Sequence, residues 1–363
     1  MKKFSYLALC LGAMALVFSS CKKKDPDPEP EPEPITVTDG LFVMNAGNYG
    51  SPNASLSFYD TENEKVSNDI FYEANKMKLG DGAQSMYING ETGWICVTNS
   101  NVVFAIDTDT YLEKGRVEGV IAPRYFLQVD EEKAYVTQMW TNTIAVVNTK
   151  TYEVVDYIEI PGMTEAEGST EEMIMVDDFV YCNLWSYQKE IVKINKWTDE
   201  VVDRMEVGIQ PKSMAYDKNH GVLWVLVDGG AWDQNPIGYE APSLVAIDLG
   251  KFKLLRTVKL TLGENVASLN YYDGYLYWLS GGVKRMMVSG EEEPQDYLIP
   301  ASSGNYYAMT MDPNCGDIYV ADVLDYMQNG KIDYFTMSGK KKGSFDVGVI
   351  PTGFCWKQTE IFE

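Results

Sequence analysis

Histidine and basic residues are scarce in this sequence. Of its 363 residues one is histidine, His220, and 30 Lys and Arg stand against 53 Asp and Glu, for a net charge of −23. A single histidine cannot form a multi-histidine metal site, nor supply the base and further histidines of most hydrolases, oxygenases and phosphotransfer enzymes. An acidic chain without a basic stripe is also poorly suited to nucleic acid. The composition therefore argues against these function classes.

Cysteine is equally sparse, and none of the six cysteines has the paired spacing of a metal site. Cys96, Cys182 and Cys355 lie in apolar runs, and Cys315 lies in a turn. We expect four unpaired thiols and no metal, with a disulfide between Cys315 and Cys355 as the open alternative. His220 lies in the turn Asp217–Gly221, where a structural role is expected.

The N-terminal segment is typical of a secretion signal. Met1-Lys2-Lys3 is basic, and the apolar run 6–18 is shorter than the ~20 residues of a membrane span. The run ends in Val17-Phe18-Ser19-Ser20-Cys21, which resembles the lipobox of bacterial lipoproteins. This resemblance implies that residues 1–20 are a lipoprotein signal peptide and that Cys21 is lipidated.

Residues 21–39 have the composition of a stalk. Three lysines are followed by a run in which proline alternates with Asp or Glu, from Asp25 to Pro34. Proline removes backbone donors and the acids repel one another, so the segment is expected to be extended. The pattern resembles the surface-export signal of Bacteroidota lipoproteins, which implies an outer-membrane protein facing the cell exterior. A plain spacer facing the periplasm is the alternative.

From Gly40 onward, short β-rich runs alternate with Gly, Asn and Asp, and no long segment has a helical period. One type of run ends in an acid, amide or serine turn, and it recurs in units of about 46 residues, a period typical of repeat folds. The seven turn residues are Asp60, Asp107, Asn148, Asn195, Asp248, Ser289 and Ser338. A second apolar run precedes each of them, and further runs lie on either side.

Four antiparallel strands per unit, seven times over, predict an all-β fold: a seven-bladed β-propeller over residues 40–363. The first unit lacks an innermost strand before Leu41, while the C-terminus has an extra run, 351–356. We therefore predict that the C-terminal strand completes the first blade and closes the ring.

The units lack the Gly-His and Trp-Asp pairs of WD40 blades. Their aromatic-Val strands, Asp/Asn-Thr turns and "Pro-x-x-apolar" inner strands, such as Pro211-Lys212-Ser213-Met214, resemble the YncE-like propellers, also described as surface-layer or quinoprotein-amine-dehydrogenase-like propellers. With its signal, cysteine and stalk, the chain is similar to the cobalamin-binding surface lipoproteins of Bacteroidota. The resemblance implies a non-enzymatic protein that binds vitamin B12 (cobalamin) as a carried ligand rather than a cofactor. It also implies a TonB-dependent, BtuB-like outer-membrane transporter as partner.

Function in a propeller is expected where the loops between second and third strands and the loops between blades share one face. These loops are rich in Trp, Tyr and amides, which offer flat apolar area beside hydrogen-bonding groups. The candidate ligand-binding residues are Asn48, Tyr49, Asn99, Arg124, Tyr125, Trp140, Trp185, Tyr187, Trp232, Asn235, Tyr239, Asn305, Tyr306 and Tyr326. The alternative for each ring is packing between blades.

The longest of these loops, 228–242, contains three glycines together with Trp232 and Tyr239. It is interpreted as a ligand clamp, with a long surface loop as the alternative. Cobalamin is the first ligand hypothesis, and a glycan bound for a polysaccharide uptake system is the second. A lyase or glycosidase using acids such as Asp228 or Asp233, and a surface scaffold without an open pocket, complete the set.

Overall fold

The computed structural model describes residues 35–164, 168–231 and 233–361. The expected signal peptide, Cys21 and the stalk as far as residue 34 lie outside this part of the chain. Strands alternate with short turns along nearly the whole length. A short α-helix, α1 (Ile70–Asn75), lies between the first two units, and a 3₁₀ turn spans Thr98–Ser100 in the second.

The strands are, in chain order, β1 (Ile35–Asn45), β2 (Ser55–Asp60), β3 (Lys65–Ser67), β4 (Ala83–Asn89), β5 (Thr92–Val97), β6 (Val102–Asp107), β7 (Glu113–Val117), β8 (Pro123–Gln128), β9 (Lys133–Gln138), β10 (Thr143–Asn148), β11 (Glu153–Glu159), β12 (Thr170–Val176), β13 (Phe179–Leu184), β14 (Glu190–Asn195), β15 (Glu200–Glu206), β16 (Pro211–Asp217), β17 (Val222–Val227), β18 (Ser243–Asp248), β19 (Lys253–Lys259), β20 (Val266–Tyr272), β21 (Tyr275–Ser280), β22 (Gly282–Met287), β23 (Tyr306–Met311), β24 (Ile318–Asp322), β25 (Asn329–Phe335), β26 (Lys341–Val349) and β27 (Pro351–Ile361).

These strands form seven antiparallel sheets, which confirms the seven-bladed propeller. Six blades have four strands, but the sheet β20-β21-β22 has three, which corrects the expectation of four strands in every unit. The segment after β22 contains Glu291-Glu292-Glu293-Pro294, where like charges and a proline oppose strand pairing. The segment meets the sheet at the bridge between Val283 and Ile299 and through the ion pair of Glu293 with Lys284 of β22.

The predicted ring closure is confirmed. Strand β27 pairs antiparallel with β1, with Leu41 opposite Trp356 and Asn45 opposite Pro351. Trp356 packs edge-on against Tyr319 of the last blade with ring centroids 5.1 Å apart. Strand β1 begins at Ile35, upstream of Gly40, where the sequence placed the start of the propeller, and the added residues pair with the end of β27. The first and last strands of the described residues are thereby joined in one sheet.

The hydrophobic core lies between neighbouring blades. Trp94 of β5, for example, stacks on Phe126 of β8, with ring centroids 4.4 Å apart, and both are buried with Val136 of β9. Strand residues alternate between the two faces of each sheet, so every blade contributes side chains to two such interfaces. Each fully buried side chain of this size contributes roughly 1.5–3 kcal/mol.

The turns between the third and fourth strands of the first five blades are alike. The Asp107 carboxylate accepts the backbone N–H groups of Asp109 and Thr110 at 3.1 and 2.8 Å, and Tyr111 follows with a φ of 60°. Asn148 and Tyr152 repeat this arrangement in the next blade. The repeated Asp or Asn of the sequence therefore stabilises an Asx turn.

His220 lies at the same end of the molecule, between β16 and β17. Its Nδ1 is 2.7 Å from Asp217 Oδ2, and its side chain is mostly exposed. All four cysteines of the propeller are free: Cys96 and Cys182 are buried, Cys355 is half-buried and Cys315 is exposed. The open alternative of a Cys315–Cys355 disulfide is not formed.

Candidate functional site

The innermost strand of every blade is bulged near its first residues. The register of each strand against its neighbour shifts at this point, so that one or two residues are left without a partner. A bulge turns additional side chains towards the same side of a strand. The unpartnered residues are Thr352, Gln84, Arg124, Tyr125, Glu171, Glu172, Lys212, Ser268, Leu269 and Tyr307.

All of these residues except Leu269 line a cavity of about 540 Å³ where the central channel opens, which we call the mouth cavity. Its wall is formed by Gln84, Arg124, Tyr125, Glu171, Glu172, Trp185, Lys212, Ser213, Asn265, Ala267, Ser268, Leu279, Gly281, Ala301, Gly304, Asn305, Tyr306, Tyr307, Ala308, Tyr326 and Thr352. The channel continues below it as a second space of about 410 Å³. The mouth cavity has the size of a small-molecule site.

An ion pair crosses from one innermost strand to the next. Arg124 Nε donates to both carboxylate oxygens of Glu171 at 3.0 Å, and its Nη1 donates to Gln84 Oε1 at 2.8 Å. Burial acts to lower the pKa of Arg124, but the carboxylate of Glu171 outweighs it and the pKa is raised. The Arg124 guanidinium is thus fixed and paired inside the wall.

Glu172, next to this pair, is bound differently. Its carboxylate accepts the Ser213 hydroxyl at 3.0 Å and the backbone N–H of Met214 at 2.6 Å. Burial nevertheless raises the pKa of Glu172 to about 7, and the neighbouring Glu171 adds to this rise. Glu172 is therefore a carboxyl group that changes its charge near neutral pH.

Lys212 occupies the next innermost strand. Its ammonium has one hydrogen-bond acceptor among the described residues, Asn265 Oδ1 at 3.4 Å. Burial lowers the pKa of Lys212, against the opposing effect of the Asp228 and Glu171 carboxylates. Asp228 itself is fully buried and accepts Trp185 Nε1 at 3.0 Å and the Gly230 N–H at 2.8 Å.

Side chains tie the innermost strands together around the channel. Thr352 donates to the Ala83 carbonyl and Ser85 donates to the Arg124 carbonyl. Further round, Ser213 Oγ accepts the Leu269 N–H, and Ser268 Oγ accepts the Met309 N–H. With the Arg124–Glu171 pair, the Glu172–Met214 bond and the bond from Trp356 to Thr310, every neighbouring pair of innermost strands is joined. The wall is consequently preformed and rigid.

Aromatic side chains form one side of the entrance. Tyr307 and Tyr326 meet edge to face with ring centroids 6.2 Å apart, and both remain more than two-fifths exposed. Tyr306 donates to Asp333 Oδ2 at 3.3 Å, which places its hydroxyl inside the blade. Exposed tyrosines at a cavity entrance offer flat apolar surface with a polar end.

The structure brings some of the sequence-predicted residues together here. Arg124, Tyr125, Trp185, Asn305, Tyr306 and Tyr326 line the mouth cavity. Asn305 is partly used by the fold, because its Nδ2 donates to the Leu324 carbonyl at 2.6 Å. Trp232 lies outside the described residues.

Seven other predicted residues do not line this cavity: Asn48, Tyr49, Asn99, Trp140, Tyr187, Asn235 and Tyr239. Tyr49 is 90% and Trp140 54% exposed on loops. Asn48 donates to the Tyr326 carbonyl at 2.8 Å and so supports the entrance from behind. Asn99 donates to Asp81, and the buried Asn235 donates to Gln210 and to the Gly230 carbonyl within the loop 228–242. These amides hold loops in place.

Sequence reasoning missed Gln84, Glu171, Glu172, Lys212 and Tyr307. A signal was present in the "Pro-x-x-apolar" pattern, since its first variable position is the residue that enters the channel. Pro123-Arg124, Pro211-Lys212 and Pro351-Thr352 all begin an innermost strand in this way. In the sequence this pattern indicates only the strand, whereas in the structure it also indicates a residue that lines the cavity.

Within residues 35–164, 168–231 and 233–361, no group of three or more His, Cys, Asp or Glu side chains could hold a metal ion. The same part of the chain has no helix long and apolar enough to cross a membrane.

The blades and the mouth cavity define a seven-bladed β-propeller with a ligand-sized space at one end of its channel. The chain belongs to the family described as domain of unknown function DUF5074, whose model matches residues 39–348. None of the curated proteins matches the chain.

Solved structures share the fold at low sequence identity. A quinoprotein alcohol dehydrogenase-like protein from Bacteroides thetaiotaomicron is 15% identical, over 89% of this chain and 79% of that chain, with a TM-score of 0.66. A putative 6-phosphogluconolactonase from Bacteroides fragilis is 13% identical, over 91% of this chain and all of that chain, with a TM-score of 0.65. A protein from Lactobacillus plantarum is 10% identical, over 88% of this chain and 100% of that chain, with a TM-score of 0.64. At these identities the likeness concerns the fold alone.

Proposed function

We propose that this protein binds a large, rigid, polar-edged small molecule at the mouth cavity and carries it without transforming it. The observation that carries the proposal is the mouth cavity itself, which combines a wall of tied polar side chains with an aromatic entrance. Because the wall is held by hydrogen bonds before a ligand arrives, little conformational entropy would be lost on binding.

Cobalamin is the ligand that we propose first. The wall offers hydrogen-bonding groups, among them Gln84, Ser213 and Asn265, that suit the peripheral amides of a corrin ring. The aromatic entrance suits the flat ring itself. The overall architecture, with a signal, a lipobox-like cysteine and a stalk, resembles the cobalamin-capturing surface lipoproteins typified by BtuG.

The direction of the N-terminus supports a tethered capture protein. Thr352, at the start of β27, lines the mouth cavity, and Ile35 pairs with Ile361 at the other end of the same strand. Strand β1 therefore enters the propeller on the face opposite the cavity. A lipid at Cys21 would hold the protein at the outer membrane by that face. We propose that the bound ligand then passes to a TonB-dependent, BtuB-like transporter.

A glycan is the second candidate ligand. The edge-to-face pair of Tyr307 and Tyr326 exposes ring surface of the kind on which sugars stack, beside the Asn305 amide. A glycan-binding lipoprotein of a polysaccharide uptake system would use the same entrance without chemistry.

Isothermal titration of the purified protein with cyanocobalamin tests the proposal. We expect saturable binding, weakened about tenfold or more by Tyr307→Ala, since aromatic contacts at entrances contribute roughly 1.5–3 kcal/mol when buried by a ligand. Trp197→Ala is the matched control, because Trp197 is 59% exposed in a turn at the opposite end of the molecule. Absence of heat with cyanocobalamin, together with binding on a glycan array that Tyr307→Ala abolishes, would establish the second candidate instead.

A further inference from the structure

The second residue of each innermost strand lines the mouth cavity, and in six of the seven strands it lies in the bulge. The second residues of these strands are Thr352, Gln84, Arg124, Glu171, Lys212, Ala267 and Tyr307. Two of the seven are cations, and they differ in their surroundings. Arg124 is neutralised by Glu171 at 3.0 Å and is further bound to Gln84.

Lys212 has no such partner. Its ammonium can donate three hydrogen bonds, and its one acceptor among the described residues, Asn265 Oδ1, is at the long distance of 3.4 Å. No carboxylate oxygen of the described residues forms a salt bridge with it, although most of the side chain is enclosed by protein. The ammonium therefore has donors that no described acceptor of the protein takes up, and that a ligand in the mouth cavity can reach.

The nearby carboxylates cannot readily supply that partner, because each is already bound elsewhere. Glu171 accepts Arg124 and the Ser169 hydroxyl. Glu172 accepts Ser213 and the Met214 N–H, and Asp228 accepts Trp185 and the Gly230 N–H. The fold thus distributes its acceptors so that the Lys212 donors face the mouth cavity, whose wall includes Lys212.

We propose that Lys212 binds an anionic oxygen of the ligand, a phosphate or a carboxylate, and so selects ligands that carry one. The inference rests on the proposed function of the mouth cavity and adds the chemical class of the group that is recognised. Cobalamin fits it through the phosphodiester of its nucleotide loop, whereas cobinamide, which has the same corrin ring without that phosphate, does not. Burial lowers the pKa of Lys212, which is consistent with an ammonium that has no carboxylate bound to it.

A first experiment needs no corrinoid. The intact protein is labelled with acetic anhydride in the presence of increasing inorganic phosphate, with chloride keeping the ionic strength constant, and each lysine is followed by mass spectrometry. We expect phosphate to protect Lys212 saturably and to leave Lys251 unchanged, since the Lys251 side chain is 80% exposed on the far face. Equal labelling of Lys212 with and without phosphate would overturn the inference.

A second experiment compares cyanocobalamin with dicyanocobinamide by calorimetry. We expect Lys212→Met to weaken cyanocobalamin binding about ten- to a hundredfold, as for loss of a charged hydrogen bond, and to leave cobinamide binding unchanged. Lys212→Arg should restore part of the loss. An equal loss for both corrinoids would mean that Lys212 does not recognise the phosphate. If the parent protein binds neither corrinoid, the cobalamin proposal is wrong, and the phosphate protection of Lys212 decides the inference alone.

Discussion

The residue types at the two ends of the channel differ in how closely they follow the seven-fold repeat. At the turns between third and fourth strands, one side-chain oxygen of Asp107 and one of Asn148 accept the same backbone N–H groups of the turn. Tyr111 and Tyr152 follow with nearly equal positive φ values. At the mouth, the equivalent second residues of the innermost strands are a threonine, a glutamine, an arginine, a glutamate, a lysine, an alanine and a tyrosine. Uniform residues shape the blades at one end, and varied residues shape a cavity at the other.

This difference shows which parts of the repeat are constrained by folding. An Asp or Asn side chain stabilises the turn between third and fourth strands in the first five blades, and the Thr336 hydroxyl takes this place in the seventh, so similar residue types recur. A bulged position at the mouth satisfies the fold with almost any side chain, because the backbone alone makes the bulge. Chemical variety there is therefore available for ligand recognition.

The largest effect is expected where both ends depend on one strand, the closing strand β27. Deletion of residues 356–363 removes Trp356, its packing on Tyr319 and the partners of Ile35–Leu41. Loss of a fully buried tryptophan costs about 3–5 kcal/mol, and the half-buried Trp356 is expected to contribute part of this. The opened ring exposes a sheet edge as well. We expect a large fall in the midpoint of thermal unfolding, which circular dichroism measures.

The control for this deletion removes residues 359–363. It keeps Trp356 and shortens the pairing between β1 and β27 beyond the blade. If both deletions lower the midpoint equally, closure depends on the outer end of the strand pair rather than on Trp356.

The second-largest effect is expected on losing the ion pair at the mouth, compared with losing an ion pair on the outer surface. Arg124→Met leaves Glu171 buried without its cation, which is expected to cost about 3–5 kcal/mol of unfolding free energy in urea. Arg116→Met removes the more exposed pair with Glu113 and should cost about 1 kcal/mol or less. The double variant Arg124→Met, Glu171→Met should recover much of the loss. Equal costs for the two arginines would mean that the mouth pair is no more enclosed than a surface pair.

The fold could be predicted from sequence because its signal is repeated. Apolar runs such as Leu223–Leu226 recur with turn residues at a period of about 46, so the blade number follows even when one blade is irregular. The missing fourth strand of the sixth blade was not predicted, because the pattern counts turns and not pairing partners. The ring closure was predictable because the extra C-terminal run 351–356 supplies the innermost strand that the first unit lacks.

The site was only partly predictable, for a reason that lies in the bulges. Strict alternation along a strand assigns Arg124 and Tyr125, or Glu171 and Glu172, to opposite faces. In the structure, the bulge lets both members of each pair line the mouth cavity. Loop aromatics such as Tyr49 and Trp140 were easier to notice in the sequence, yet they lie away from this cavity. The bulges determine which strand residues line the mouth cavity, and the amino-acid composition does not reveal where the bulges are.

The smallest effect concerns the charge of Glu172. Its pKa is raised by burial from 4.5 to about 7, so the folded state binds a proton that the unfolded state has already lost. This contribution to stability is complete below about pH 4.5 and is lost as the pH rises through about 7. Glu172→Gln stays neutral throughout and keeps an oxygen to accept the Met214 N–H.

The unfolding midpoint of Glu172→Gln relative to the parent should therefore rise across this pH range. Asp228, whose pKa is also raised by burial, is present in both proteins, so the difference between them isolates Glu172 to first order. Asp107→Asn is the control at the opposite end, where hydrogen bonds from Thr110 lower the carboxyl pKa and any change belongs to a more acidic range. A midpoint difference for Glu172→Gln that is constant with pH would mean that the mouth leaves Glu172 as well solvated as the turns leave Asp107. In that case the two ends of the channel would differ in residue type but not in electrostatic environment.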